Sequence, residues 1–217
     1  MKTKVLTVIY ILIGITYTVL DSHLSSIPGL VLKGSIIPFL IIIYQLNARQ
    51  NFRITILAAL LFSWAGDVIL CFSFIPGLAC FLLAHVMYVI AFLKTSGKSE
   101  LITKRIYLLF PVILYGAGLL CLLYDNLDGM RLPMITYTMV ILTMLIAAIN
   151  RYGKVSRLSF ILVLAGAVLF VISDSLIALN KFGFPFVFSG VAVMTTYIAA
   201  QYLIVTGVLK QSEKEFV

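Results

Sequence analysis

The chain has 217 residues, of which 62% are hydrophobic and 11% charged, and its formal net charge is +8 at pH 7. With a mean hydropathy of +1.14, this composition leaves too little polar surface for a water-soluble globule. It excludes an ordinary soluble domain, and we expect an integral protein of a bacterial inner or plasma membrane.

The length of the apolar runs decides between the two structures that can span a membrane. Every backbone amide in hydrocarbon needs a partner, so a spanning chain is either helical or a closed barrel. The runs last about 17 to 25 residues, which suits helices crossing a core roughly 30 Å thick, whereas barrel strands alternate polarity over about ten residues. The sequence therefore predicts an all-α polytopic membrane protein.

Charged residues and Gly, Pro and Asn divide the chain into eight predicted transmembrane helices. In chain order the spans lie near 5–20, 28–46, 54–72, 75–93, 105–123, 132–149, 158–179 and 184–209. The connections are short, and none has the composition of a linker. We therefore expect a single integral membrane domain over residues 1–217.

The basic residues set the expected orientation, because short loops rich in Lys and Arg stay in the cytoplasm. In an eight-span arrangement, only three of the 16 basic residues fall on the outer side, namely Lys33, Arg131 and Lys181. This asymmetry predicts that the N- and C-termini are both cytoplasmic. Topology and anionic lipid headgroups then explain the positive charge, and we expect no nucleic-acid partner.

Two acids lie within the predicted spans, Asp67 in the third and Asp174 in the seventh. An ionisable group near the bilayer centre costs about 2.5 to 3.5 kcal/mol, so it usually faces a cavity and marks a functional site. Both spans run outward from the cytoplasm, which places both carboxyl groups in the outer half of the membrane. We predict that both acids are catalytic, although buried acids are also found as structural partners of Lys or Tyr.

Further polar side chains are expected to converge with these acids around one outward-opening pocket. His85 and Tyr88, three residues apart, share a face of the fourth span, and Tyr197 and Gln201, four apart, share a face of the eighth. Lys33 enters the second span from the outer side. Intramembrane Gln and Tyr also link helices without taking part in chemistry, so the structural reading of these residues stays open.

Four sequence runs, from the third, fourth, seventh and eighth spans, resemble those of a known protein family. The runs LLFSWAGDVIL, FLLAHVMYVIAF, LFVISDSLIALNKF and TYIAAQYLI resemble the YhhN family of lysoplasmalogenases. The strongest parts are the Gly66–Asp67 pair and the Ser173–Ser175 triplet, whereas the first, fifth and sixth spans are generic. The family often has a Lys-Pro pair near the start of the second span; here Lys33 is followed by Gly34. The resemblance implies hydrolysis of the vinyl ether bond of lysoplasmalogens to a fatty aldehyde and glycerophosphoethanolamine or glycerophosphocholine.

The residues themselves suit this chemistry. A vinyl ether is hydrolysed by protonation of its β-carbon, addition of water to the oxocarbenium ion and collapse of the hemiacetal. This needs a carboxylic acid, which low dielectric keeps protonated, and a carboxylate that stabilises the cation and deprotonates water. We assign Asp174 as the acid, because Ser173 and Ser175 can hydrogen-bond a neutral carboxyl, and Asp67 as the carboxylate.

The other predicted site residues receive supporting roles. His85 is counted with the two acids as catalytic and, together with Tyr88, is expected to hold the water or the developing alcohol. Lys33, Tyr197 and Gln201 are expected to bind the glycerophosphate end. Ser173 completes the substrate-binding set. We expect no cofactor and no metal, because one intramembrane His cannot supply the three ligands typical of catalytic zinc.

Other functions are compatible with buried acids. A small lipid transporter or proton-coupled transporter uses such groups, and a faint parallel repeat between Phe62–Leu70 and Phe170–Ile177 favours that alternative. A zinc amidase needs more His, and a retinal protein needs a mid-membrane Lys in its last helices. The expected partners are a lysolipid substrate and membrane lipids; the oligomeric state stays open.

Overall fold

The computed structural model describes residues 2–20, 27–48, 53–96 and 105–212, and these residues fold into eight long helices with short 3₁₀ turns before and after the fifth. In chain order the helices are α1 (Lys2–Leu20), α2 (Ile27–Asn47), α3 (Arg53–Leu70), α4 (Phe74–Ser96), α5 (Leu109–Leu123), α6 (Arg131–Ile149), α7 (Arg157–Phe182) and α8 (Ser189–Ser212).

The lengths of the helices match the thickness of a bilayer. Within the described residues, seven helices are long and apolar enough to cross a membrane, and α3 contributes a shorter apolar stretch, Ile54–Leu70. At a rise of 1.5 Å per residue, such a stretch covers about 25 Å, which is close to the lower limit for spanning. The predicted all-α membrane class is confirmed, and the chain is an integral membrane protein.

Local sequence explains where several helices begin. Pro28, Pro76 and Pro133 lie in the first turns of α2, α4 and α6, where the backbone N–H that proline lacks would have no intrahelical partner. The α7 helix is capped instead by Ser156, whose side-chain oxygen accepts a hydrogen bond from the Ser159 amide at 3.1 Å.

Seven of the helices form a ring, and α5 lies outside it. Helices α1 to α4 pack in sequence, α4 continues to α6, and α6, α7 and α8 lead back to α1. The outer helix α5 packs mainly against α6. Its buried residues are Val112, Gly116 and Leu123, so most of its circumference faces outward.

Small residues bring α7 and α8 into the closest packing of the bundle. A methyl group added at Gly166 would lie 2.8 Å from the carbonyl oxygen of Ala200, and one added at Gly207 would lie 2.7 Å from the Val163 side chain. Lipid tails are as apolar as leucine, so helices in a membrane associate through such close van der Waals contact. These glycines therefore set the distance between α7 and α8.

The two ends of the bundle are tied together differently. At the end that carries the α1–α2, α3–α4, α5–α6 and α7–α8 connections, here called the Lys33 end, Lys33 Nζ lies 3.7 Å from Cys71 Sγ. Phe74 and Phe182 also meet there edge to face, with ring centroids 5.8 Å apart. Asp67 is three residues from this end of α3 and Asp174 eight residues from this end of α7.

At the opposite end, here called the Arg151 end, a fully buried arginine links three elements. Arg151 Nη2 donates hydrogen bonds to Gln211 Oε1 at 2.6 Å and to Ser159 Oγ at 3.1 Å. Its guanidinium also lies 5.5 Å from the centroid of the Phe92 ring. Burial lowers the pKa of Arg151 from 12.5 to about 10, so the side chain stays charged near neutral pH.

We predict that the Arg151 end faces the cytoplasm. Reporters fused after Gly97 and Gly153 should read cytoplasmic, and reporters fused after Asp128 and Lys181 should read external, because the basic residues are concentrated at the Arg151 end. Gly97 lies outside the described residues. A cytoplasmic reading at Asp128 would contradict the orientation.

We also predict that Gly166→Leu destabilises the protein by about 1 to 3 kcal/mol, because the added side chain overpacks the α7–α8 contact. The thermal midpoint in detergent should fall accordingly. Gly118→Leu on α5 is the matched control, since a methyl group added there meets nothing within 4 Å. Equal midpoints for the two variants would rule out close α7–α8 packing as the source of stability.

Candidate active site

Asp67 on α3 is held by a tyrosine of α8. Its side chain is almost completely buried, with 3% of the residue surface exposed. The hydroxyl of Tyr197 donates a hydrogen bond to Asp67 Oδ2 at 2.8 Å. The two residues are 130 positions apart in the chain, so this bond fixes α3 against α8.

Asp174 on α7 is held by residues of α6 and α4. The hydroxyl of Tyr137 donates a hydrogen bond of 2.5 Å to Asp174 Oδ2, and His85 Nε2 lies 3.6 Å from the same oxygen. The rings of His85 and Tyr137 meet edge to face, with centroids 5.4 Å apart. The Asp174 side chain keeps 11% of its surface exposed, so it is more accessible than Asp67.

Tyr88 and Gln201 bind each other rather than an acid. The Tyr88 hydroxyl donates to Gln201 Oε1 at 2.6 Å, and Gln201 Nε2 donates to Ser63 Oγ at 3.0 Å. All three side chains are completely buried. Their hydrogen bonds satisfy polar groups that burial would otherwise leave unpaired, and they connect α4, α8 and α3.

One aromatic ring lies between these groups. The Phe170 ring contacts His85 at a centroid distance of 4.6 Å, Tyr197 at 5.5 Å and Tyr88 at 6.3 Å. Tyr197 binds Asp67, and His85 lies beside Asp174, so both acids are one side chain away from this ring. The two acids and the partners predicted from the sequence therefore lie together in one buried region.

A cavity of about 50 Å³ adjoins this region between α4, α5, α6 and α7. Its polar lining consists of Asp174, Tyr137, Thr138, Tyr115 and Ser175, and the rest of the wall is apolar. Of the eight site residues predicted from the sequence, Asp174 lines this cavity, and the other seven are not among its lining residues. A pocket bordered by Asp67, Asp174, His85 and Gln201 together therefore stays a prediction, because Asp174 alone of the four lines this cavity.

The two serines beside Asp174 do not bind its carboxyl group, contrary to our expectation. Ser173 Oγ donates to the carbonyl oxygen of Val193 on α8 at 3.1 Å, and Ser175 Oγ donates to the carbonyl oxygen of Val171 at 2.7 Å. A helical serine readily donates to the carbonyl one turn back, as Ser175 does.

Tyr137 takes the place we had assigned to the serines as hydrogen-bond donor to Asp174. Sequence reasoning missed Tyr137, and it also missed Tyr115, whose hydroxyl donates to Ser175 Oγ at 2.7 Å. Both tyrosines lie in spans without a distinctive motif. Their polarity within an apolar run was the only available signal.

Lys33 lies at the end of α3 that follows Asp67 and does not line the cavity. Its ammonium group is 3.7 Å from Cys71 Sγ and interacts electrostatically with Asp67. Among the residues that the structure describes, no three His, Cys, Asp or Glu side chains are grouped so that they could hold a metal ion.

The bundle and its buried acids define a polytopic membrane protein with an intramembrane two-carboxyl site. Residues 29–208 match the YhhN family, and the chain belongs to this family. No solved structure matches the chain.

Three curated relatives of this chain are each named lysoplasmalogenase. The chain is 34% identical over 155 residues to lysoplasmalogenase TMEM86B of Homo sapiens, covering 70% of this chain and 62% of that protein. It is 30% identical over 186 residues to lysoplasmalogenase TMEM86B of Sus scrofa, covering 85% of this chain and 76% of that protein. It is 30% identical over 156 residues to the lysoplasmalogenase of Mycobacterium tuberculosis, covering 69% of this chain and 58% of that protein. The chain thus spans about three fifths to three quarters of these relatives.

Proposed function

We propose that this chain is an intramembrane hydrolase that cleaves the vinyl ether bond of lysoplasmalogens. The products are a fatty aldehyde and glycerophosphoethanolamine or glycerophosphocholine. Membership of the YhhN family and the name shared by the relatives support this substrate class.

The observation that carries the proposal is the position of Asp174. It is the carboxyl-bearing residue of a cavity wall that is otherwise apolar or hydroxyl-bearing, and its side chain is partly exposed. The vinyl ether group joins the hydrocarbon chain of the lysolipid to its glycerol. This group suits an apolar wall, because it has a weakly basic carbon and few polar atoms. A general acid must lie within reach of the atom that it protonates, and Asp174 meets this condition better than the more buried Asp67.

In the first step, Asp174 transfers its carboxyl proton to the β-carbon of the vinyl ether. The carbon–carbon double bond becomes a single bond, and the positive charge is shared between the α-carbon and the ether oxygen. The Tyr137 hydroxyl, which already donates to Asp174 Oδ2, stabilises the carboxylate that remains. The new ion pair lies in a low-dielectric site, where a fixed donor is worth more than in water.

In the second step, water adds to the α-carbon, and Asp67 takes the proton that the water loses. The resulting hemiacetal moves its hydroxyl proton to the ether oxygen and breaks the carbon–oxygen bond, releasing aldehyde and alcohol. The proton on Asp67 then returns to Asp174. His85 is suited to relay it, because its Nε2 lies 3.6 Å from Asp174 Oδ2 and a neutral imidazole carries both a donor and an acceptor.

The remaining residues position these groups. Tyr197 orients the carboxylate of Asp67 through its 2.8 Å hydrogen bond. Tyr88 and Gln201 hold α4 and α8 together beside it. The substrate-binding roles predicted for Lys33 and Ser173 stay predictions, since neither residue lines the cavity beside Asp174.

We predict that Asp174→Asn and Asp67→Asn each lower kcat on lysoplasmalogen by at least about 10² to 10⁴, because each removes a proton-transfer group. Aldehyde release by purified protein is the measurement. Asp125→Asn, at an exposed acid of the α5–α6 connection, is the matched control and should keep wild-type kcat. The thermal midpoints of all three variants test whether the fold is intact.

Near wild-type kcat in both Asn variants would refute the two-carboxyl mechanism. Binding of lysolipid without any turnover by wild-type protein would instead favour a lipid transporter with buried acids. The saturated alkyl ether analogue separates these outcomes further, because it should bind to the enzyme and remain intact.

We predict, second, that the reaction in D₂O leaves one deuterium on carbon 2 of the aldehyde and proceeds with a lower kcat than in H₂O. The transferred proton comes from a solvent-exchanged carboxyl group and ends on the β-carbon, which becomes carbon 2. Mass spectrometry of the aldehyde and initial rates at matched acidity are the measurements. Authentic aldehyde incubated with D₂O corrects for exchange, and an unlabelled product would exclude protonation at carbon.

A further inference from the structure

We propose that the phosphate group of the lysolipid binds to Lys181 and Arg131 at the Lys33 end of the Asp174 cavity. This inference rests on the proposed function and deepens it, because it names the residues that hold the headgroup. The sequence did not predict either cation as a site residue; Lys181 and Arg131 were used only to predict the membrane orientation.

Lys181 borders the cavity wall. It lies in the last turn of α7, and its ammonium group is 5.1 Å from the centroid of the Phe74 ring. Phe74 and Phe182 both line the cavity and pack edge to face. The exposed Lys181 side chain is therefore a cation at the edge of the apolar wall that leads to Asp174.

Arg131 approaches the same cavity from α6. It is the first residue of α6, three positions before Met134, which lines the cavity. Its guanidinium lies 4.5 Å from the centroid of the exposed Tyr124 ring. Asp128 precedes it in the same connection, but within the described residues no carboxylate lies within 4 Å of Arg131 or Lys181.

The spacing along α7 matches the substrate. Lys181 follows Asp174 by seven residues, which is about 10 Å along a helix. In a lysoplasmalogen, seven bonds separate the β-carbon that accepts the proton from the phosphorus atom. A lysolipid with its β-carbon at Asp174 therefore extends its phosphate toward Lys181.

The α7–α8 connection supports this placement. Residues Phe184, Phe186 and Phe188 of this connection expose their rings beside Lys181. Exposed apolar side chains next to a cation are typical of the boundary between lipid and headgroups. Lys181 then lies at the depth where a lysolipid carries its phosphate.

The two cations also suit the chemistry of a phosphodiester. An arginine guanidinium presents paired donors to phosphate oxygens, and a lysine ammonium adds a compact charge. None of the three cations lines the cavity itself. Lys33, which we predicted for this role, lies beside Cys71 and Asp67, whereas Arg131 and Lys181 contact the aromatic rings of Tyr124 and Phe74.

The test compares Lys181→Gln and Arg131→Gln on two substrates, a lysoplasmenylcholine and an alkenylglycerol that lacks the phosphate. Each variant should raise KM for the phospholipid about ten-fold or more, the worth of one charge-assisted hydrogen bond. Its kcat on the phospholipid and its KM for the alkenylglycerol should be unchanged. Arg157→Gln, at the opposite end of α7, is the matched control and should leave all constants unchanged.

Binding of the saturated alkyl ether lysophosphocholine and of the matching alkylglycerol gives a readout that is independent of turnover. Selective loss of phospholipid binding in the two variants supports the phosphate site even if wild-type protein hydrolyses nothing, in which case only the proposed function fails. Unchanged phospholipid binding in both variants overturns the phosphate site, as does a selective loss in Lys33→Gln alone. An equal loss for alkylglycerol also overturns it, since a phosphate contact cannot affect that ligand.

Discussion

A carboxyl group within hydrocarbon needs a hydrogen-bond partner, and this requirement organises the centre of the protein. Each acid meets it through a tyrosine from another helix: Tyr197 of α8 for Asp67, and Tyr137 of α6 for Asp174. The partners lie far apart in the chain, so the bonds form only when the bundle has closed. Burial of the two acids is therefore coupled to the packing that brings α3, α6, α7 and α8 together.

This packing gives the carboxyl groups of Asp67 and Asp174 different exposure and different neighbours. Asp67 does not line the cavity and has 3% of its surface exposed, whereas the Asp174 side chain is 11% exposed and lines the cavity. The charge of Lys33 acts on Asp67, and the uncharged Tyr137 hydroxyl binds Asp174. Each carboxyl group accepts a tyrosine hydrogen bond, so the nearby lysine and the exposure to the cavity are what distinguish the two acids. The surroundings thus support different roles for the two acids.

The sequence predicted those features that depend on local composition. Apolar runs predicted the helices, and the scarcity of charge within them identified Asp67 and Asp174. The sequence could not predict the features that depend on which helices pack against each other. The position of α5 outside the ring, and the pairing of Tyr137 with Asp174, follow from packing between helices that lack distinctive motifs. The serine hypothesis failed partly for this reason, since Ser173 donates to a carbonyl group of the neighbouring α8. For Ser175 the reason is local, because a helical serine has a competing acceptor one turn back.

The position of α5 has a consequence for access to the cavity. Because α5 packs mainly on α6 and is largely exposed, it separates the Asp174 cavity from the surrounding lipid by one helix. The Tyr115 hydroxyl joins this helix to the ring through Ser175, the residue next to Asp174. The lysolipid that we propose as substrate carries its vinyl ether just below the headgroups, and we propose that it reaches Asp174 sideways past α5. A site bordered by a peripheral helix therefore suits a substrate that never has to leave the bilayer.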